Sequence, residues 1–252
     1  MKLSSITYGS GPSLSYLHGF TQTKESWIPV LEQLGSEYSH SLIDAPGHGS
    51  SNDGQRTLQQ AADDVAETMQ AGVLIGYSMG ARIALHTALQ HPASVNALVL
   101  VSGTAGIDDA NERSARRSSD DALAHRISNI GVEAFIDEWL SNPMFSGLPI
   151  SLADIPSRCR NTAKGLGDSL RYAGTGTQDP LWEQLRFLTM PVLLVAGEND
   201  QKFTDNALRM NALLPNSEVH IMEHVGHTCH LEDIPQFTHI VKNWLSGLKR
   251  DD

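Results

Sequence analysis

Gly76-Tyr77-Ser78-Met79-Gly80 constrains this chain more than any other stretch. It follows the apolar run 73–75 and precedes a helical pattern over 81–90. Strand, sharp turn and helix in that order form the setting of a Gly-x-Ser-x-Gly elbow, which needs a sheet with helices packed on it. The glycines are required because the turn backbone is strained and crowded, so a Cβ would clash. The turn lifts the serine hydroxyl above the sheet edge and aims a helix N-terminus at whatever reacts there.

The rest of the chain supplies that sheet. Short apolar runs at 13–17, 41–43, 73–75, 97–101, 192–196 and 218–222 read as strands. Helical patterns occupy 27–34, 58–70, 81–90, 205–213 and 234–248. Strands spaced by helices predict an α/β fold, a mostly parallel sheet covered on both faces. The rhythm breaks between residues 108 and 185, where only charged helical stretches appear, at 111–127, 132–140 and 152–172. We therefore expect a core of residues 1–107 and 186–252 carrying an inserted helical cap, 108–185. Gly174-Thr175-Gly176-Thr177 marks part of the return path. Residues 249–252 are expected to fray.

Composition sets the class. Hydrophobic content of 40% and charged content of 19% over 252 residues are those of a soluble globular chain. No apolar run approaches the roughly 20 residues of a membrane span. The N-terminus lacks the apolar stretch of a secretory signal, so a cytoplasmic setting is expected. Two cysteines, Cys159 and Cys229, imply no disulfide framework. A net charge of −11 argues against nucleic acid as a partner. It leaves room for a small anionic substrate held by a local arginine cluster. The sequence does not set an oligomeric state.

A serine hydroxyl reacts only when a histidine takes its proton, and the histidine needs a carboxylate to fix its tautomer. On an elbow of this kind the chain order is Ser, Asp or Glu, His. Asp200 follows the strand at 192–196 and His227 follows the strand at 218–222, so both lie at carboxyl-end loops, where open α/β sheets bind ligands. Glu198 competes with Asp200. His224, His227, Cys229 and His230 crowd together, but no second ligand group with finger-like spacing accompanies them, so no metal is expected. An oxyanion or enolate needs preorganised N–H donors. Met79, next to the serine, supplies one, and Phe20 in His18-Gly19-Phe20 supplies the other. The His18 side chain reads as structural, as does the turn Asp44-Ala45-Pro46-Gly47-His48-Gly49.

Together His18-Gly19-Phe20, Asp44-Ala45-Pro46-Gly47-His48-Gly49, the elbow, Gly197-Glu198-Asn199-Asp200 and Gly226-His227 resemble the α/β-hydrolase superfamily across nearly the whole chain. Further residues narrow the branch: the elbow's continuation Ala81-Arg82, Glu112-Arg113, Arg116-Arg117-Ser118-Ser119-Asp120, Trp139, Pro143-Met144-Phe145, Arg160-Asn161 and Gln201-Lys202-Phe203. This set resembles the 2-succinyl-6-hydroxy-2,4-cyclohexadiene-1-carboxylate synthases of menaquinone biosynthesis, the MenH family, which are lyases on a hydrolase fold. The resemblance implies elimination of pyruvate from 2-succinyl-5-enolpyruvyl-6-hydroxy-3-cyclohexene-1-carboxylate, without a cofactor. It also implies that Arg82, Arg116, Arg160 and Trp139 bind the substrate. Ala81 departs from the family, which often has a second glycine there.

The residues point to an anionic substrate on their own account. Arg82 sits one turn after Ser78 on the elbow helix, and arginine grips carboxylates with a planar fork. Arg113, Arg116 and Arg117 could instead form a solvated face paired with Glu112, Asp120 and Asp121. Trp139 reads as core or as pocket wall, Tyr77 as facing the site or packed under the elbow, and Lys202 as rim or surface. Two rival readings share these motifs: an esterase, thioesterase or carbon–carbon bond hydrolase with Ser78 as a true nucleophile, and a ligand-binding receptor with an intact triad.

Overall fold

A computed structural model describes residues 1–51 and 53–248. The 249–252 tail lies outside the described residues. Seven strands form one sheet: β1 (Ser5–Tyr8), β2 (Ser13–Leu17), β3 (Ser39–Ile43), β4 (Gly72–Tyr77), β5 (Val95–Val101), β6 (Val192–Gly197) and β7 (Ser217–Met222). Their spatial order is β1-β3-β2-β4-β5-β6-β7. All pairs are parallel except β1 with β3.

Alternation along the central strands explains why helices cover both faces. Leu98 and Leu100 of β5 point to one core, and Val99 and Val101 to the other. The first core packs on α2 (Leu58–Thr68), α3 (Met79–Gln90) and α8 (Gln201–Leu213) through Val65, Ala84 and Met210. The second packs on α1 (Ile28–Leu34) and α10 (Ile234–Leu248) through Val30, Phe237 and Trp244. Burying each such Val, Leu or Phe side chain is worth about 1.5–3 kcal/mol, so a strand apolar on both faces is held only when both are covered. Helix α2 begins at a capping box, with the Thr57 and Gln60 side chains each accepting from the other's backbone N–H.

Strand β1 is not among the expected strands: Ser5-Ile6-Thr7-Tyr8 alternates polar and apolar residues for only four positions, and all four are exposed. Backbone pairing alone, from Ser5 opposite Ile43 to Tyr8 opposite His40, makes it a strand.

Between β5 and β6 the described chain is helical. It runs through α4 (Ala110–Ile130), α5 (Val132–Leu140), α6 (Ile155–Arg158) and α7 (Ala163–Ala173). Short 3-10 turns at Pro143–Phe145, Ile150–Leu152 and Trp182–Phe187 punctuate it. These helices share a third core of Ala124, Ile127, Phe135, Ile136, Leu166 and Leu170. The single helical stretch expected over 152–172 is two helices. Pro156 opens the first, and Thr162 caps the second by accepting from the Gly165 N–H. One further short helix, α9 (Cys229–Glu232), precedes α10.

Candidate active site

Ser78 joins β4 to α3 with φ +51° and ψ −105°, a conformation that a non-glycine residue rarely adopts. The flanking glycines make room for it. A Cβ on Gly76 would lie 2.4 Å from the Gly80 carbonyl oxygen, and one on Gly80 would lie 2.3 Å from that of Leu17. The elbow is thus pressed against the end of β2, beside the loop that carries Phe20.

Asp200, at the start of α8, and His227, in the loop after β7, meet the serine there. The Nε2 of His227 is 3.0 Å from Ser78 Oγ, and its Nδ1 is 2.6 Å from Asp200 Oδ2. His227 is buried. The competitor Glu198 turns away, accepting from the His224 N–H at 2.9 Å. The histidine cluster is dispersed: His224 is exposed, His227 meets the serine and His230 is sealed in the core. Among the described residues no group of three or more His, Cys, Asp or Glu side chains is placed to hold a metal ion.

The Phe20 loop is held from three sides. Gly19 donates to Gln22 Oε1 at 2.8 Å, and the Gln22 N–H donates back to the Gly19 carbonyl at 3.1 Å. The Ala45 N–H donates to His18 Nε2 at 3.1 Å, so the His18 proton sits on Nδ1, which donates to the Gly19 carbonyl at 2.8 Å. Burial pushes the His18 pKa down and favours this neutral form. Its side chain is structural.

A cavity of about 810 Å³ opens over Ser78. Tyr77, Arg82, Arg116, Trp139 and Lys202 line it together with Phe20, Met79, Ser78, Asp200 and His227. Tyr77 also packs under the elbow, its ring 5.4 Å from that of His227 and 4.3 Å from that of His230. Trp139 serves as both wall and core, with Phe20 at 5.3 Å and Phe135 at 5.9 Å. Lys202 is an exposed rim residue. Arg113 and Arg117 do not line the cavity; they bind the backbone carbonyls of Ile107 and Gly176.

Arg160 is a correction. Its side chain is 54% exposed, pairs with Glu25 at 3.1 Å, and does not line the cavity. Arg158 stands in the cavity wall instead, only 2% exposed. Arg158 closes α6 and Arg160 lies in the turn that follows it, so the two side chains leave the backbone in different directions. Chain direction after the break at 159–162 selected Arg158, and the sequence does not contain that direction. Arg209, stacked on Trp182 at 3.7 Å and paired with Asp108 at 2.5 Å, also lines the cavity and was not expected.

The electrostatics divide the cations. Arg116 has Asp120 at 2.7 Å, and Arg209 has Asp108. Among the described residues Arg82 and Arg158 have no carboxylate within ion-pairing distance. Arg82 donates to the Ala173 carbonyl at 2.8 Å. Arg158 donates to the Ala153 carbonyl at 2.6 Å and to the Thr21 hydroxyl. Burial lowers both guanidinium pKa values to about 10, which still leaves them charged at neutral pH. A buried charge without a counter-ion is costly, and a carboxylate on a ligand offsets that cost.

Three buried histidines give the site's surroundings an acid-sensitive element. Burial lowers His48 and His230 to about 3, and His86 to about 4. The unfolded chain takes up these protons below about pH 6.5, whereas the folded chain does not. Stability is therefore intact above that value and is lost as pH falls toward the folded values. His230, its ring tilted against that of Trp27 at 4.6 Å and with no hydrogen-bond partner on either ring nitrogen among the described residues, is the clearest contributor. We predict that His230→Phe removes about 1 kcal/mol per pH unit from the decline in unfolding free energy below about pH 6. Denaturant melts at neutral and mildly acidic pH check this, and equal slopes for variant and wild type would refute it.

A family model described as Alpha/beta hydrolase family matches residues 16–238. A Bacillus subtilis (strain 168) protein, provisionally named 2-succinyl-6-hydroxy-2,4-cyclohexadiene-1-carboxylate synthase, is 37% identical over 246 residues, spanning 92% of this chain and 89% of its own. The 2-succinyl-6-hydroxy-2,4-cyclohexadiene-1-carboxylate synthase of Enterobacter sp. (strain 638) is 32% identical, spanning 88% and 87%. The solved structure of MenH from S. aureus superposes with a TM-score of 0.87 at 29% identity, covering 98% of this chain and 99% of the other.

Proposed function

The chain belongs to the alpha/beta hydrolase family, in the branch of the 2-succinyl-6-hydroxy-2,4-cyclohexadiene-1-carboxylate synthases, and from that premise we propose how its site performs the reaction. It is a lyase of menaquinone biosynthesis, eliminating pyruvate from 2-succinyl-5-enolpyruvyl-6-hydroxy-3-cyclohexene-1-carboxylate. The observation that carries this reading is the pair of buried, carboxylate-free arginines, Arg82 and Arg158, in the cavity that holds Ser78 and His227. A substrate with three carboxylates matches them, whereas a neutral ester leaves both charges buried and unpaired.

In the proposed mechanism His227, oriented by Asp200, takes the Ser78 proton as the serine oxygen removes the ring proton α to the succinyl ketone. The N–H groups of Phe20 and Met79 stabilise the enolate. Its collapse breaks the ring carbon–oxygen bond and expels enolpyruvate, which picks up a proton on carbon and becomes pyruvate. No bond to Ser78 forms. The elimination is redox-neutral and needs no cofactor. Arg116, Trp139, Tyr77 and Lys202 complete the wall, with the helices of residues 108–185 acting as a cap over it. The partner is a small anionic substrate, with neither nucleic acid nor membrane required. The proposed setting is the cytoplasm; no described helix is long and apolar enough to cross a membrane.

Pyruvate release from this substrate, coupled to NADH oxidation by lactate dehydrogenase, is the direct test. We expect one pyruvate per substrate consumed and no mass increase on Ser78. An acyl adduct accumulating on Ser78, without pyruvate, would instead identify a hydrolase.

A further inference from the structure

The loop that carries His227 has no regular structure of its own, lying between β7 and α9. Its backbone N–H groups cannot be paired by a ladder or a helix, so something else must take them. One carboxylate does. Glu232 Oε2 accepts from the Gly226 N–H at 2.7 Å. Oε1 accepts from the Thr228 N–H at 3.0 Å and from the Thr228 hydroxyl at 2.7 Å. These donors belong to the residues immediately before and after the histidine. The His227 carbonyl is tied separately, accepting from Ser102 Oγ at 2.8 Å. On its far side the carboxylate is covered by the 143–148 turn, where a Cβ on Gly147 would come within 2.1 Å of Oε2.

We propose that Glu232 is a positioning residue for the reaction: it grips the chain on both sides of His227 and so sets the reach of the imidazole to Ser78 and Asp200. An ionised carboxylate is the side chain suited to this task, since it is acceptor-only and three donors converge on it. Hydrogen bonds to a charged acceptor are also the strong ones, and here they tie the N–H groups on both sides of His227. The geometry they protect is narrow. A base must be kept within about 0.5 Å of its productive position, and a displacement of about 1 Å can cost on the order of 100-fold in rate. The proposal rests on the reading of His227 as the base.

The test compares Glu232→Gln and Glu232→Ala with His227→Ala. Glutamine keeps the shape but replaces one oxygen by an NH₂ group, which then faces either the Gly226 N–H or the Thr228 donors. We expect Glu232→Gln to fold and to lose about 10- to 100-fold in kcat, with KM within about threefold of wild type. Glu232→Ala should lose more, so that glutamine counts as partial rescue. Proton NMR supplies a readout that does not need turnover: the far-downfield resonance of the His227 Nδ1 proton shared with Asp200 should shift or broaden in Glu232→Gln. Wild-type kcat with an unmoved resonance would overturn the proposal. So would a loss of activity that tracks loss of folded protein while the kcat per folded molecule and the resonance stay unchanged. Turnover surviving in His227→Ala would sink the base assignment instead, and the resonance would still decide whether Glu232 holds the ring.

Discussion

Ser78→Ala is expected to slow pyruvate release by about 1,000-fold with little change in KM. The serine oxygen is asked to take the ring proton, and a positioned acid–base group typically contributes 10²- to 10⁴-fold. It contributes nothing to holding the carboxylates, so binding should persist. His227→Ala should fall by a similar factor, because the hydroxyl at 3.0 Å is then left without a base. The double variant should fall little further, since groups that act as one unit are not additive. Steady-state rates for the three variants decide the matter. A loss of less than about tenfold in Ser78→Ala, or a double variant slower by the product of the two single losses, would mean that the proton leaves by another route.

Arg158→Ala and Arg160→Ala should separate by about one to two orders of magnitude. Arg158 is buried in the cavity wall and has no carboxylate within ion-pairing distance among the described residues. Removing a charge-assisted contact of this kind costs roughly 1.5–3 kcal/mol, or about 10- to 150-fold in kcat/KM. Arg158→Lys should recover part of that, because it restores the charge without the fork. Arg160 is an exposed partner of Glu25, and such pairs contribute about 0–1 kcal/mol to stability and nothing to a site they do not reach. Its alanine variant should stay within about twofold of wild type. Arg158→Ala also strips the Thr21 hydroxyl and the Ala153 carbonyl of their donor, so thermal melts must accompany the kinetics. Equal effects at the two positions would return Arg160 to the site and undo the correction made above.

What could be read in advance follows from how local each signal is. The elbow is readable because its glycines answer a clash within five residues, between Gly76 and the Gly80 carbonyl. The central strands are readable because both of their faces are apolar, as at Leu98 to Val101. Asp200 and His227 are readable because each lies in a loop just past a strand, β6 and β7. The exposed edge strand β1 is not readily so, since its polar-apolar alternation runs for only four residues and neither face is buried. Nor is the division of 152–172 into two helices, which rests on the Thr162 cap and on Asn161 reaching Gly49 and Thr21.

By itself the chain determined the class of fold, the order of serine, aspartate and histidine along it, and the presence of several arginines for an anion. These are consequences of backbone sterics and short-range periodicity, which a few consecutive residues express in full. Only the tertiary structure decided that Glu198 turns outward while Asp200 meets the imidazole, that Arg158 and not Arg160 enters the cavity, and that Glu232 holds the loop of His227. Each of those outcomes depends on where two segments distant in the chain come to lie against each other, and a direction in space leaves no trace in the spacing of residues along a line.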